Sequence, residues 1–186
     1  MFEKKVLKQD FVVTGRIPYN LSHINHDQLK NIVFESFSKK DRKTNQITNY
    51  QYNHYFLYDD PNVIMLEKQL NDYFRNYAKL DLCLSNKACL YLSKDQVVNS
   101  HQQLDYQDLK NSPDYTCYYF LTNDSSSSHI LIEYDDIKDK NILYPCKIKR
   151  RECVLFNSNL RHSFTPNTSE VPILVIVFQF KLDKLD

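Results

Sequence analysis

The sequence predicts an α+β chain, mainly β, in which two helices near the N-terminus pack on one face of an antiparallel barrel or sandwich. Three observations lead there. Short strand-like segments separated by polar loops fill the chain from Leu80 onward, two amphipathic helical stripes precede them, and 186 residues supply one well-packed core rather than two. The expected organisation is a single domain over 1–186, with N-terminal strands and helices in 1–79 and the β core in 80–186.

Phe2 to Ile17 reads as one or two edge strands, because VVTGRIP ends at a proline that cannot donate to a ladder. From Asp27, the apolar residues Leu29, Ile32, Val33 and Phe37 recur at helical spacing, with Asn25 or Asp27 at the cap. SKKDRKTNQ follows as a polar loop, and Tyr52 to Tyr58 alternates as a strand. DDPN then supplies a cap and an early proline for a second helix, whose stripe of Val63, Leu66, Leu70, Tyr73, Phe74 and Tyr77 faces the core. The β half reads as LDLCLSN, KACLYLS, QVVNSH, YTCYYFLT, HILIEY, NILYPCKI, ECVLFN and VPILVIVFQFKL. Ser125 to Ser128 form a strand-to-strand loop, and KIKRRE from Lys147 reads as the polar face of a strand.

Composition excludes several classes of function. With 24 basic and 23 acidic residues the net charge is +1, so no large field calls for nucleic acid or an anionic membrane. No run of about 18 apolar residues occurs, and MFEKKVLKQDF lacks the apolar stretch of a signal peptide, so a soluble, unexported, cytoplasmic protein is expected. Five cysteines, mostly in apolar strands and without a CxxC knuckle, point to buried thiols in a reducing compartment rather than to structural zinc. Gly15 is the only glycine, so turns with positive φ fall to Asn or Asp. The wealth of Tyr, Phe, Asn, Lys, Asp and Ser suits an AT-rich genome, viral or bacterial.

His101 in HQQLDYQDL, the strand YTCYYFLTND, the segment HILIEYDD and the block CVLFNSNLRHSFTPNTSEVPILVIVFQF carry a family likeness. Taken in order, they resemble the double-stranded β-helix of the 2-oxoglutarate and Fe(II)-dependent oxygenases. In that family two histidines and a carboxylate hold iron on one face, leaving positions for cosubstrate and oxygen. The resemblance implies His101 and His162 as the metal histidines. The carboxylate position, two residues after His101 on the same strand face, holds Gln103, a neutral and poorer ligand. Asp105 is the substitute if the chain turns after His101.

The family's oxoglutarate-anchoring arginine falls where this chain has Pro172, Ile173 and Leu174, and no basic residue stands between His162 and Lys181. An oxoglutarate carboxylate without a cation is costly to bury. Tyr115, Tyr118, Tyr119 or Lys147 are the alternative anchors, with Tyr115 and Tyr119 the cofactor-binding candidates. The paired glycines of the family's central strand loop are replaced by SSSSH, whose His129 is not assigned a ligand role.

These departures imply an eroded active site: a non-catalytic structural or binding module with no cofactor, working through protein partners in an assembly. Short stand-alone chains of this type resemble those encoded by tailed phages, which implies a virion component if the source is a phage. The alternative is an active dioxygenase that takes Fe(II) and 2-oxoglutarate and hydroxylates a small-molecule substrate.

Overall fold

The computed structural model describes residues 2–7, 10–17, 23–38, 50–52, 55–104, 106–123, 127–135 and 139–183. Its elements are β1 (Phe2–Leu7), β2 (Asp10–Arg16), α1 (His26–Ser38), β3 (Tyr50–Tyr52), α2 (Tyr55–Asp59), α3 (Pro61–Tyr73), β4 (Leu82–Leu92), β5 (Val98–His101), β6 (Tyr115–Phe120), β7 (Ile130–Tyr134), β8 (Ile142–Cys146), β9 (Glu152–Asn157), β10 (His162–Phe164) and β11 (Ile173–Leu182). The strands form a seven-stranded sheet in the order β1-β2-β9-β6-β11-β4-β3 and a four-stranded sheet in the order β5-β10-β7-β8. This is the mainly β, two-sheet architecture that the sequence predicts, with the helices against one face of the larger sheet.

Local chemistry sets the helix ends. Asn25 precedes α1 and its Oδ1 accepts the Gln28 N–H at 3.1 Å, while its own N–H donates to Asn62 Oδ1 at 2.7 Å, which ties α1 to α3. Asp60 caps α3 through the Asn62 and Val63 amides, and Pro61 occupies the first turn, as DDPN predicts. Val63, Leu66, Leu70 and Phe74 are buried, but Tyr77 is 59% exposed, against expectation. Residues Phe74–Ala78 form a π-helical turn, whose wider i→i+5 closure moves Ala78 rather than Tyr77 onto the buried stripe. The strand expected over Tyr52 to Tyr58 is also corrected: β3 ends at Tyr52, and Tyr55–Asp59 is the short helix α2 leading into the Asp60 cap. The predicted loop SKKDRKTNQ lies outside the described residues.

Strand alternation divides the core in two. Cys117 and Tyr119 of β6, Cys153 and Leu155 of β9, and Leu174, Ile176, Phe178 and Phe180 of β11 face the helices. Their neighbours Tyr118, Phe120, Val154, Phe156, Ile173, Val175 and Val177 face the smaller sheet. The segments LDLCLSN and KACLYLS prove to be one strand, β4. Its register with β11 jumps from Asn86↔Gln179 to Leu84↔Phe180, so Ser85 is an extra residue that bulges and swaps the two faces of the strand. Asn86 is thereby turned to the barrel interior beside Gln179.

KIKRRE is not the face of a strand. It forms the β8–β9 connection, turning at Arg151 with φ 65° while Glu152 accepts the Lys149 N–H. Among the described residues, positive φ falls on Asn123, Asn141 and Asp95, as the glycine shortage predicts, and also on Lys79 and Arg151. Four cysteines are buried and Cys83 is exposed, all as free thiols. No helix among the described residues is long and apolar enough to cross a membrane.

Candidate functional site

The site lies where the short strands β5 and β10 pair antiparallel, with His162 directly opposite His101. Phe164 faces Val98 rather than Asn99, so β5 carries an extra residue that lets both Val98 and His101 turn inward. The two imidazoles sit 4.3 Å apart between ring centroids, and Phe156 closes on His162 edge-to-face at 4.8 Å. His162 is buried and His101 partly so. After His101 the chain leaves the strand, and the Gln103 N–H donates to the Ser158 carbonyl at 3.1 Å, holding the Gln103 side chain in the interior at 5% exposure.

The polarity of the site follows from two backbone carbonyls. His101 Nδ1 lies 2.9 Å from the Asn99 oxygen and His162 Nδ1 lies 3.1 Å from the Leu160 oxygen. A carbonyl only accepts, so both rings carry their proton on Nδ1 and present a lone pair at Nε2. The Tyr118 hydroxyl, 2.7 Å from His162 Nε2, must then donate to it. Its oxygen accepts from Gln103 Nε2 at 3.1 Å, and the same amide group reaches His101 Nε2 at 3.0 Å. With both amide protons used, Gln103 Oε1 accepts from Gln179 Nε2 at 2.9 Å. Gln179 Oε1 accepts from Asn86 Nδ2 at 3.0 Å, and Asn86 Oδ1 from the Tyr58 hydroxyl at 2.9 Å. One donor direction runs from the helical layer to the histidine pair, and every group has its partner.

Burial holds both rings neutral. It pushes His162 down to about 3, with the neighbouring His101 adding to the effect and the Leu160 carbonyl opposing it. His101 is lowered as well, first by burial, with the Asn99 carbonyl opposing it and the Arg161 charge adding to it.

The described residues by themselves do not make up an iron and oxoglutarate centre. Among the described residues the donor set is two imidazoles, a carboxamide and a phenol, all neutral, and both Nε2 lone pairs already accept internal hydrogen bonds. No cationic anchor for oxoglutarate stands among the described residues that line the site. The interior positions of β11 before Gln179 are Ile173, Val175 and Val177, and Tyr118 is committed to His162.

The structure thus brings together His101, His162 and Gln103, and adds Tyr118 as a partner of His162. Asp105 lies outside the described residues. Tyr115 and Tyr119 are not brought to the histidines: they stand on the helix-facing side of β6, where Tyr115 stacks on Phe11 and Tyr119 on His26. Lys147 is exposed in the β8–β9 connection. Gln179 and Asn86 were missing from the sequence reading. Gln179 left a signal, as the one polar residue in the apolar run ILVIVFQF, where a buried amide demands partners.

No family model and no curated protein matches the sequence. Solved structures do match the fold. The non-heme alpha-ketoglutarate-dependent carbocyclase SnoK from nogalamycin biosynthesis is 12% identical, with a TM-score of 0.63 over 91% of this chain and 78% of that one. HygX from Streptomyces hygroscopicus, solved with nickel and 2-oxoglutarate bound, is 15% identical, with a TM-score of 0.61 over 94% and 83%. AviO1 from Streptomyces viridochromogenes Tue57 is 9% identical, with a TM-score of 0.65 over 92% and 90%. At such identities the likeness shows the fold alone, and the fold is the jelly-roll β-helix of 2-oxoglutarate-dependent oxygenases.

Proposed function

We propose that the chain is a non-catalytic β-helix module, which keeps the barrel as a rigid scaffold and binds through its surface and the cavity beside His101. The observation that carries this reading is the one-way donor path ending on both histidine Nε2 atoms. A metal at that place must break the hydrogen bonds to both lone pairs. Turning Gln103 to offer its oxygen sets its amide N–H against that of Gln179. No charge among the described site residues compensates either loss.

The partners in this reading are proteins in an assembly, and for a phage-encoded chain the assembly is the virion. Exposed apolar side chains on the helical layer, among them Phe34, Ile64, Met65 and Tyr77, support protein contacts there. Mass spectrometry of purified particles tests this, and absence of the chain from them while it is abundant in infected cells rules out the virion role.

A second reading, an active dioxygenase, is favoured by one observation: His101 and His162 stand opposite each other in the tautomer that presents Nε2. Anaerobic Fe(II) titration by calorimetry, with and without 2-oxoglutarate, on the wild type and His101→Ala separates the two. The non-catalytic reading expects no specific heat. It fails if iron binds at micromolar affinity or tighter, about −8 kcal/mol, is strengthened by oxoglutarate and is lost in the variant.

A further inference from the structure

A cavity of about 590 Å³ opens beside His101, large enough for a small molecule, and its lining has a consistent chemistry. Five carboxamides, Asn86, Gln102, Gln103, Asn111 and Gln179, stand around it with the hydroxyls of Ser85 and Ser112. None of the described lining residues is charged. We propose that this cavity binds a neutral polyhydroxylated ligand, a sugar or polyol. The inference rests on the non-catalytic reading and names the ligand class for it.

Hydrogen-bond accounting supports that class. Gln103 gives both its amide protons internally, but the other four amide nitrogens donate once each within the protein: Asn86 to Gln179 Oε1, Gln102 to the Asn159 carbonyl, Asn111 to Asp108 Oδ2 and Gln179 to Gln103 Oε1. An amide carries two N–H protons, so one remains on each of those four. Ser85 Oγ donates to the Gln179 carbonyl and keeps its lone pairs. The wall therefore offers several donors and some acceptors without net charge. Hydroxyl groups, which donate and accept at once, are complementary to such a wall.

Ionic ligands are disfavoured by the same lining. Among the described lining residues a phosphate or carboxylate meets neutral dipoles and no cation, and an ammonium meets no carboxylate. Lys181 is not among the described lining residues, and its ammonium is engaged by Asn111 Oδ1 at 3.2 Å and the Lys110 carbonyl at 3.3 Å. Tyr106, 68% exposed, is held through its hydroxyl against the lining amide Gln102, which sets an aromatic ring at the edge of the cavity, where it suits the apolar face of a pyranose ring.

The test is saturation-transfer NMR and calorimetry with glucose, maltose, cellobiose, trehalose and glycerol, alongside glucose 6-phosphate and 2-oxoglutarate. Expected is binding of at least one neutral sugar, weakened about 3- to 10-fold in Gln102→Ala and in Tyr106→Ala. Both side chains lie at the surface, and thermal melting checks that each variant is folded. Glucose 6-phosphate should bind more weakly than glucose. The proposal is overturned if no neutral probe binds, if either variant binds as the wild type does, or if a charged probe binds more tightly than its neutral counterpart. A parallel Fe(II) titration keeps the outcomes apart, because specific iron binding defeats the non-catalytic reading whatever the sugars do.

Discussion

Replacing Gln103 by glutamate tests the central claim, that an amide here completes a network which a carboxylate would break. The two side chains have the same shape, so packing is preserved and only hydrogen-bond polarity changes. Gln103 gives both its amide protons, to His101 Nε2 at 3.0 Å and Tyr118 Oη at 3.1 Å, and receives one from Gln179 at 2.9 Å. Glutamate keeps the last contact and sets lone pairs against lone pairs at the other two. Two orphaned buried acceptors and an added charge at 5% exposure argue for a loss of about 2–4 kcal/mol, with His101 offsetting part of it by taking a proton on Nε2.

In a domain of this size each kcal/mol lowers Tm by about 2–4 °C, so Gln103→Glu should melt about 4–16 °C below the wild type at neutral pH. A divalent ion should rescue it, since the variant offers two imidazoles and a carboxylate. Co(II) or Mn(II) at a hundred times its Kd restores about 2.7 kcal/mol, while the wild type should not respond. The reasoning is refuted if the variant melts within about 2 °C of the wild type without metal, or if metal raises both melting points equally.

Other predictions probe neighbouring parts of the same network. Tyr118→Phe removes the donor to His162 and an acceptor of Gln103, and should cost about 1–3 kcal/mol per orphaned partner in urea unfolding, whereas Tyr119→Phe on the opposite face leaves the network intact. Buried neutral histidines make stability depend on pH. His162 is held at about 3, and His26 is lowered to about 4 by burial and by Arg151 and Arg150, so between those values and about 6.5 the unfolded chain binds more protons. Stability is therefore full above about 6.5 and falls as pH drops, by up to about 1.4 kcal/mol per pH unit per histidine; urea midpoints that stay flat from neutral to acid pH contradict this. Glu67→Ala strips the partner from Lys87, 2% exposed with Nζ 3.0 Å from that carboxylate, and should cost about 3–5 kcal/mol. The double change Lys87→Met with Glu67→Leu should recover most of that loss in the same unfolding assay.

The fold was largely legible because the barrel strands are apolar on both faces or alternate cleanly, as in ILVIVFQFKL and ECVLFN. What misled the reading were local departures from a regular period. The bulge at Ser85 resembles a break between two strands, the π turn at Phe74 moves Tyr77 off the buried stripe, and Tyr55–Asp59 is a single helical turn, too short to show a helical period, that ends at the extended cap residue Asp60 before Pro61. Within the site the two histidines and the position of Gln103 could be read only through the family resemblance. Asn86 and Gln179 could not be joined to them, since only the pairing of β4 with β11 and the bulge bring those amides together. Tyr118 was weighed only as a cosubstrate anchor. Strand parity separates it from Tyr115 and Tyr119, and its place opposite His162 depends on how the two sheets stack.

The direction of the donor path gives the erosion reading physical content. Two converging imidazoles present buried lone pairs, and each orphan would be costly in a low-dielectric interior. Here an amide at 103 and a phenol at 118 supply the missing protons, and the compensation does not stop at the site. It runs through Gln179 and Asn86 to Tyr58, whose hydroxyl oxygen accepts the Lys87 N–H at 3.1 Å. The Lys87 ammonium is itself tied to Glu67 and to the Leu57 carbonyl. A carboxylate cannot be introduced at 103 without disturbing that chain, because a donor must be replaced by an acceptor at its end. The histidine pair is thus joined to α2 and α3 by a continuous chain of hydrogen bonds and one ion pair, and under the proposed non-catalytic reading that chain is what stiffens the barrel.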